Sequence, residues 1–446
     1  MNKLMLLTIP LMLLAACGQT SKAGSSNPPA TEKRAFDYRA LCTPTNLNPE
    51  EFGIKDVDNV DYDWALWGHN LRKTLGKNPT EEMLATVDGK RDSTQLCFSS
   101  PALREAVAYW VDDQWGKKGQ RFAIMPDDNT IACLCEECVK LGNTPGNATP
   151  AVTDMVRELA AKYPDHTFFM AAYHSTKEAP KEKLPDNVGV LLSTMPIPMR
   201  YTFGESGGFR NFDATLKAWK EKTPLLYVWE YERNFDDYLT PYPCLLVLQQ
   251  RLKYYKESGV SGVFVNGSGY DYSTFDDVQS YVLAQLLKNP DADVEKLVRR
   301  FYAKYYPQCG GMIGDYYLKL ERRLRDTNRV MPYYGTIDET VSAYLDPKEF
   351  TDFWISLDKA SKSVSGTERQ YINRMLTAMA YTRLMLKPAD EDERAELILV
   401  LKDYESVPHL KNYKETGGSL KDLLKKLDPK ENSDEETKTE KEDSKQ

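Results

Sequence analysis

Two adjacent acids, Asp127 and Asp128, follow the apolar run RFAIMP at residues 121–126. Two carboxyl groups this close resist ionising together, so one of them keeps its proton to higher pH and can act as a general acid. Glycoside hydrolysis needs such an acid together with a second carboxylate. We therefore consider Asp128 as general acid/base and Asp127 as a group that orients the substrate. An Asp-Asp-Asn string is also typical of turns and helix caps, and this alternative stays open.

A second pair of acids, Glu230 and Glu232, lies at the end of the run PLLYVWEY at residues 224–231. Residues two apart on a strand share a face, so Trp229 and Tyr231 take the opposite face. If the acids face the site, Glu230 is the nucleophile or second carboxylate. If they do not, the aromatic rings form the platform for a sugar. A surface role in salt bridges is the third alternative.

Several aromatic and polar residues at the ends of predicted strands are candidates for binding a carbohydrate. The chain has 27 tyrosines and seven tryptophans, and the CH faces of sugars stack on such rings. Most rings belong to the core, and a single histidine is more often structural. The candidate substrate-binding residues are Trp67, His69, Tyr173, His174, Trp229, Tyr231 and Asn266.

Three cysteines, Cys133, Cys135 and Cys138, have the compact spacing of thiolate metal ligands. A zinc site usually requires a fourth ligand, and none is evident near them in the sequence. A disulfide within the trio, or between one member and a distant cysteine, explains the spacing equally well. We therefore predict no metal and no other cofactor, and keep the trio as an alternative zinc site. Seven cysteines remain when Cys17 is set aside, so at least one is unpaired or bound to something.

The N-terminal segment MNKLMLLTIPLMLLAAC has an early lysine, a short apolar core and small residues before Cys17. The apolar core is too short to span a bilayer. The string LLAAC resembles the bacterial lipobox, in which the signal peptide is cleaved before a cysteine that is then lipidated. We therefore predict a lipoprotein of the bacterial cell envelope, anchored at the outer membrane or periplasmic face through its lipid alone. A plain secretory peptide is the alternative.

The elements that must position these residues are eight short runs of strand-like sequence separated by amphipathic stretches. Eight strands that alternate with helices over roughly 250 residues predict an α/β fold, a (β/α)8 TIM barrel, whose reacting groups gather at the C-terminal ends of the strands. A doubly wound sheet is the alternative, but no glycine-rich turn follows the first strand. The predicted strands cover residues 36–41, 63–70, 94–99, 121–126, 167–175, 188–195, 224–231 and 259–267.

Composition and periodicity divide the chain into five segments. The acidic balance, with a net charge of -8 and no basic stripe, excludes a nucleic acid as partner. Helical periodicity replaces the strand signal after about residue 290, and the charged end of the chain cannot build a core. The predicted segments are a signal peptide with lipobox at 1–17, a tether at 18–35, the barrel at 36–290, a mainly helical C-terminal region at 291–427 and a disordered tail at 428–446.

The blocks MPDDNTIACLCEEC and LYVWEYERNFDDYLTPYP together resemble domain-of-unknown-function family 4838, over about residues 36–305. The resemblance implies a glycoside-hydrolase-type barrel, related to α-glucuronidases and hexosaminidases, in bacteria that forage for glycans. It carries no established catalytic residue. We therefore predict a hydrolase that acts on oligo- or polysaccharides at the cell envelope. The alternative is a lipoprotein that binds glycans without cleaving them on a hydrolase scaffold.

Overall fold

The computed structural model describes residues 34–116 and 119–428. The predicted signal peptide, the predicted lipidation site Cys17 and most of the predicted tether and tail lie outside the described residues. The described residues from Ala35 to Asp428 form one compact unit. Within the described ranges, no helix is both long and apolar enough to cross a membrane.

Seven parallel strands form the main sheet, in the order β1-β9-β8-β7-β6-β5-β2. An α-helix connects most consecutive strands of this sheet, as parallel pairing requires, whereas β6 and β7 are joined by a loop with one short 3-10 helix at His174–Thr176. The two remaining strands, β3 and β4, pair with each other outside this sheet. The strands are β1 Tyr38–Cys42, β2 Trp64–Leu66, β3 Leu84–Val87, β4 Lys90–Leu96, β5 Arg121–Ala123, β6 Thr167–Ala172, β7 Val188–Ser193, β8 Leu226–Tyr231 and β9 Gly262–Asn266.

The prediction of a closed (β/α)8 barrel is wrong. The sheet is open and curled, and among the described residues its edge strands β1 and β2 are not paired with each other. The predicted third strand, residues 94–99, overlaps β4, which forms an antiparallel hairpin with β3. Asp88 and Gly89 connect the hairpin with φ of 49° and 73°, and such Asp-Gly turns with positive φ at both residues match the twist of a two-residue hairpin. The fold is α/β, with one strand fewer in the sheet than predicted.

The two faces of the sheet have different neighbours. One face packs against the helices, and the other, which we call the inner face, forms its own apolar cluster. On this inner face Tyr38 and Tyr227 stack with ring centroids 5.2 Å apart, although β9 lies between their strands. Gly262 on β9 makes this possible, because a Cβ there would lie 2.6 Å from the Tyr227 ring.

The helices begin and end at recognisable sequence signals. Ser100 caps α2 by accepting a hydrogen bond from the backbone N–H of Leu103, and Gly259 ends α6 in the left-handed conformation. From α8 onward the described chain is mainly helical. The helices are α1 Val60–Asp63, α2 Pro101–Gln114, α3 Glu136–Leu141, α4 Thr149–Lys162, α5 Gly207–Lys220, α6 Leu245–Ser258, α7 Asp276–Lys288, α8 Val294–Tyr305, α9 Gly310–Thr327, α10 Ile337–Ala343, α11 Pro347–Ser361, α12 Gly366–Met385, α13 Glu391–Lys402 and α14 Leu420–Leu427.

The C-terminal helical region is joined to the sheet by buried polar contacts. The carboxylate of Glu321 on α9 accepts hydrogen bonds from the backbone N–H groups of Leu245 and Leu246, which begin α6. Phe235, after β8, donates its backbone N–H to the carbonyl of Tyr333 at 2.7 Å. The carbonyl of Phe235 also accepts a hydrogen bond from the backbone N–H of Glu415 at 2.8 Å. These contacts hold the loops after α9 and α13 beside the C-terminal end of β8.

Candidate functional site

A cavity of about 360 Å³ lies at the C-terminal ends of the parallel strands. Ligands of α/β proteins bind preferentially at this edge, because the loops that leave the strands converge there. Five of the seven predicted substrate-binding residues line the cavity, together with Asp128. The lining also includes two residues of the C-terminal region, and its polar and aromatic members are His69, Asp128, Tyr173, Ser193, Trp229, Tyr231, Asn266, Tyr334 and Glu415.

Asp128 is the strand-end carboxylate that faces this cavity. Its side chain is 60% exposed, and its Oδ1 lies 3.3 Å from Nε2 of His174. The backbone of His174 has φ of 45°, in the left-handed region that non-glycine residues adopt at a cost and that recurs at functional sites. His174 therefore lies next to the cavity, with its ring beside the carboxylate of Asp128.

Asp127 has a partner within the protein. Arg72 donates to its carboxylate through Nε at 2.9 Å and through Nη2 at 2.8 Å, the bidentate geometry of a strong charge-assisted pair. The side chain of Gln95 bonds to both the backbone N–H and the carbonyl of Asp127, at 3.1 Å each. Asp127 thus holds the loop that presents Asp128, instead of lining the cavity itself.

His69 has a defined orientation and tautomer. Its Nδ1 lies 2.6 Å from the carbonyl oxygen of Pro126, and because a carbonyl only accepts, Nδ1 carries a proton. In the neutral ring Nε2 is then a hydrogen-bond acceptor. Gly68, with φ of 67°, makes the turn that separates Trp67 from His69. His69 can therefore accept a hydrogen bond from a hydroxyl group in the cavity.

The aromatic residues of β8, and not its acids, face the cavity. Trp229 and Tyr231 line it, and Trp229 stacks on Trp67 with centroids 4.9 Å apart and ring planes 21° apart. Trp67 supports the wall from behind, since it does not line the cavity. The sequence allows either the acids or the rings of β8 to face the cavity. In the structure the rings line it.

Glu230 lies on the opposite face of β8 and is fully buried among protein groups. Its carboxylate accepts hydrogen bonds from Arg251 Nη1 at 2.7 Å, Thr194 Oγ1 at 2.7 Å and the Tyr255 hydroxyl at 2.5 Å. Arg251 is fully buried as well. Because these contacts occupy the carboxylate and the strand separates it from the cavity, Glu230 does not reach the cavity as the predicted second carboxylate.

A second carboxylate reaches the cavity from a region that the sequence did not connect with the site. Glu415, in the loop between α13 and α14, accepts a hydrogen bond from the hydroxyl of Tyr334 at 3.0 Å. Burial and the charge of Glu415 raise the pKa of Tyr334, so this hydroxyl stays a donor. Neither residue belongs to a motif or follows a strand, so no signal in the sequence identifies it.

The family model described as Domain of unknown function (DUF4838) matches residues 23–318. The chain belongs to this family. The family assignment made from the sequence blocks is thereby confirmed. The DUF4838 match includes every strand of the sheet and Asp128, but it ends before Tyr334 and Glu415. No curated protein matches the chain.

Two buried acids that follow β8 predict a pH-dependent stability. Burial raises the pKa of Glu232 to about 7 and that of Asp237 to about 6. The folded protein therefore binds more protons than the unfolded chain, and this contribution to stability is lost as pH rises from about 4.5 through about 7. Glutamine stays neutral, whereas Glu232 becomes a buried charge as pH rises. The free energy of unfolding of Glu232→Gln minus that of wild type should therefore increase by roughly 2–3 kcal/mol from pH 5 to pH 8.

Urea unfolding of both proteins at several pH values measures this difference. Glu221→Gln, at an exposed position, is the control. Its difference from wild type in free energy of unfolding should not change with pH. A difference for Glu232→Gln that does not change with pH would contradict the prediction.

Proposed function

We propose that this DUF4838 protein is a glycoside hydrolase that acts on complex glycans at the bacterial cell envelope. One observation supports this proposal most strongly. Two carboxylates, Asp128 and Glu415, line one cavity whose wall includes the rings of Trp229 and Tyr231. Most glycoside hydrolases use a pair of carboxyl groups, and aromatic rings of this kind offer a surface for the CH faces of a sugar.

In the proposed reaction Asp128 is the general acid/base. It protonates the glycosidic oxygen as the bond to the anomeric carbon breaks, and a water oxygen ends on that carbon. His174, 3.3 Å from Asp128, exchanges the proton with solvent. Glu415 takes the role of second carboxylate, in place of the originally predicted Glu230. It serves either as nucleophile or as base for the water, and an acetamido group of the substrate is the third route.

The other residues of the cavity bind the sugar. Trp229 and Tyr231 stack on its CH face, and His69 and Asn266 bond to its hydroxyl groups. The volume of about 360 Å³ is at the lower end of the range of about 300–1,000 Å³ for ligand pockets. It suits a terminal sugar, with the rest of an oligo- or polysaccharide in solvent. The lipid on Cys17 would hold the enzyme at the membrane.

Binding by the aromatic wall is tested with Trp229→Ala. We expect a loss of about two- to tenfold in affinity, since a stacked ring contributes about 0.5–1.5 kcal/mol. The protein is titrated by calorimetry with glycans that shift its melting temperature in a screen. Trp110→Ala is the matched control, because Trp110 lies on α2 against Phe122 and not in the cavity. Equal affinity in Trp229→Ala and wild type would remove the cavity from the proposal.

Glycan binding without cleavage is the second candidate function, and one observation favours it. Of the three acids first considered for catalysis, Asp127 and Glu230 are held by Arg72 and Arg251. A protein of this kind would bind glycans through the same aromatic wall and release no product. Mass spectrometry of the bound glycans after incubation separates the two functions.

A further inference from the structure

The cysteine trio of the sequence meets a fourth thiol in the fold. Cys97 directly follows β4, and its sulfur joins those of Cys133, Cys135 and Cys138 in the segment after β5. All four sulfur atoms lie within 4.8 Å of one another. Three of the four residues are buried, and all seven described cysteines are free thiols. The fourth ligand that the trio lacks in the sequence thus comes from the β3–β4 hairpin.

We propose that Cys97, Cys133, Cys135 and Cys138 together bind one zinc ion. The sulfur of Cys97 lies 3.7 Å from that of Cys135 and 3.8 Å from that of Cys138. A tetrahedral ion with zinc–sulfur bonds of about 2.3 Å places its sulfur ligands about 3.8 Å apart. Four thiolates also match the soft ligand set that zinc accepts in structural sites.

Hydrogen-bond donors surround the sulfur atoms. The backbone N–H of Thr86 donates to Cys133 at 3.2 Å, and that of Cys138 donates to Cys135 at 3.5 Å. The hydroxyl of Ser99 lies 3.0 Å from the sulfur of Cys138. Donors of this kind stabilise the negative charge of thiolates and orient ligands around a metal.

The proposed zinc ion is structural. Four protein ligands complete a tetrahedral site and leave no position for water or substrate. The ion would connect the β3–β4 hairpin to the loop that begins at Asp127 and Asp128. The same two segments are also joined through Gln95, whose amide bonds to Asn129 at 3.0 Å. Zinc would therefore rigidify the segment that carries Asp128, and this inference holds whether or not the cavity hydrolyses glycans.

The metal content of the full-length protein, purified without chelator or added metal, tests the proposal. We expect about one zinc per chain by elemental mass spectrometry, and four sulfur neighbours at about 2.3 Å by X-ray absorption. Cys97→Ser and Cys138→Ser should each lose most of the zinc. Cys309→Ser, which removes a buried cysteine elsewhere, is the matched control and should retain it.

The X-ray absorption measurement on wild type does not depend on whether a variant folds. Removal of zinc by a chelator should also lower the melting temperature, and added zinc should restore it. Iron in place of zinc would overturn the proposal. Metal-free protein in which peptide mapping finds the four cysteines paired as disulfides would overturn it as well.

Discussion

Asp128→Asn is expected to lower kcat for glycan hydrolysis at least about a hundredfold and to leave KM nearly unchanged. Asparagine keeps the size of the side chain but cannot donate a proton to the leaving oxygen. It can keep the contact with His174, whose Nε2 lies 3.3 Å from the carboxylate in wild type, so the local structure should persist. Steady-state kinetics on a substrate found by screening measures the effect.

The control for this variant is Asp165→Asn, which removes an exposed carboxylate that precedes β6, at the edge of the sheet opposite the cavity, and that is not part of the cavity lining. It should hydrolyse the same substrate at the wild-type rate. If Asp128→Asn were equally active, Asp128 would not be the acid/base. If it lost binding in parallel with rate, Asp128 would act in holding the sugar.

Arg251→Met is expected to lower the free energy of unfolding by about 3–5 kcal/mol. Arg251 and Glu230 are both fully buried, with nitrogen and oxygen 2.7 Å apart. Removing the guanidinium leaves the carboxylate buried with only hydroxyl and backbone donors. Urea denaturation of variant and wild type measures the difference, and the double variant with Glu230→Gln should recover part of it, because no unpaired charge then remains.

The matched control is Arg299→Met, since Arg299 pairs with Glu295 at 2.9 Å on the surface, where both side chains are about half exposed. This loss should stay within about 1 kcal/mol, as for other exposed pairs. A loss of similar size for Arg251→Met would contradict the structural role of the buried pair. A stable Glu230→Gln variant with no activity would return Glu230 to the chemistry.

The edge of the sheet at which the candidate site lies could be predicted from the sequence, because it depends only on which residues directly follow the strands. Seven of the eight predicted strands lie in the main sheet, and a parallel sheet brings the residues after its strands to one edge. This was sufficient to bring Asp128 and Trp229 into one cavity. The sequence could not show which face of β8 lines the cavity, because acids and aromatic rings alternate along the strand and either set could face inward.

The other residues of the two sites are brought in by contacts between segments that are distant in the sequence. Hydrophobic periodicity does not predict such contacts. Glu415 enters the cavity on a loop of the helical region, and Cys97 meets the cysteine trio only because β4 belongs to a hairpin. The hairpin itself was readable from the Asp88-Gly89 turn.

The most direct test of the proposed hydrolase is whether it releases sugar from glycans. The assay uses a form of the protein that begins after Cys17 and so carries no lipid, and mass spectrometry detects the products. Wild type, Asp128→Asn and Glu415→Gln are compared on one panel of complex glycans and aryl glycosides. If Asp128 is the acid of a glycoside hydrolase, wild type releases a sugar and Asp128→Asn releases at least about a hundredfold less. Glycan binding by wild type with no released sugar at any pH from mildly acidic to neutral would contradict it.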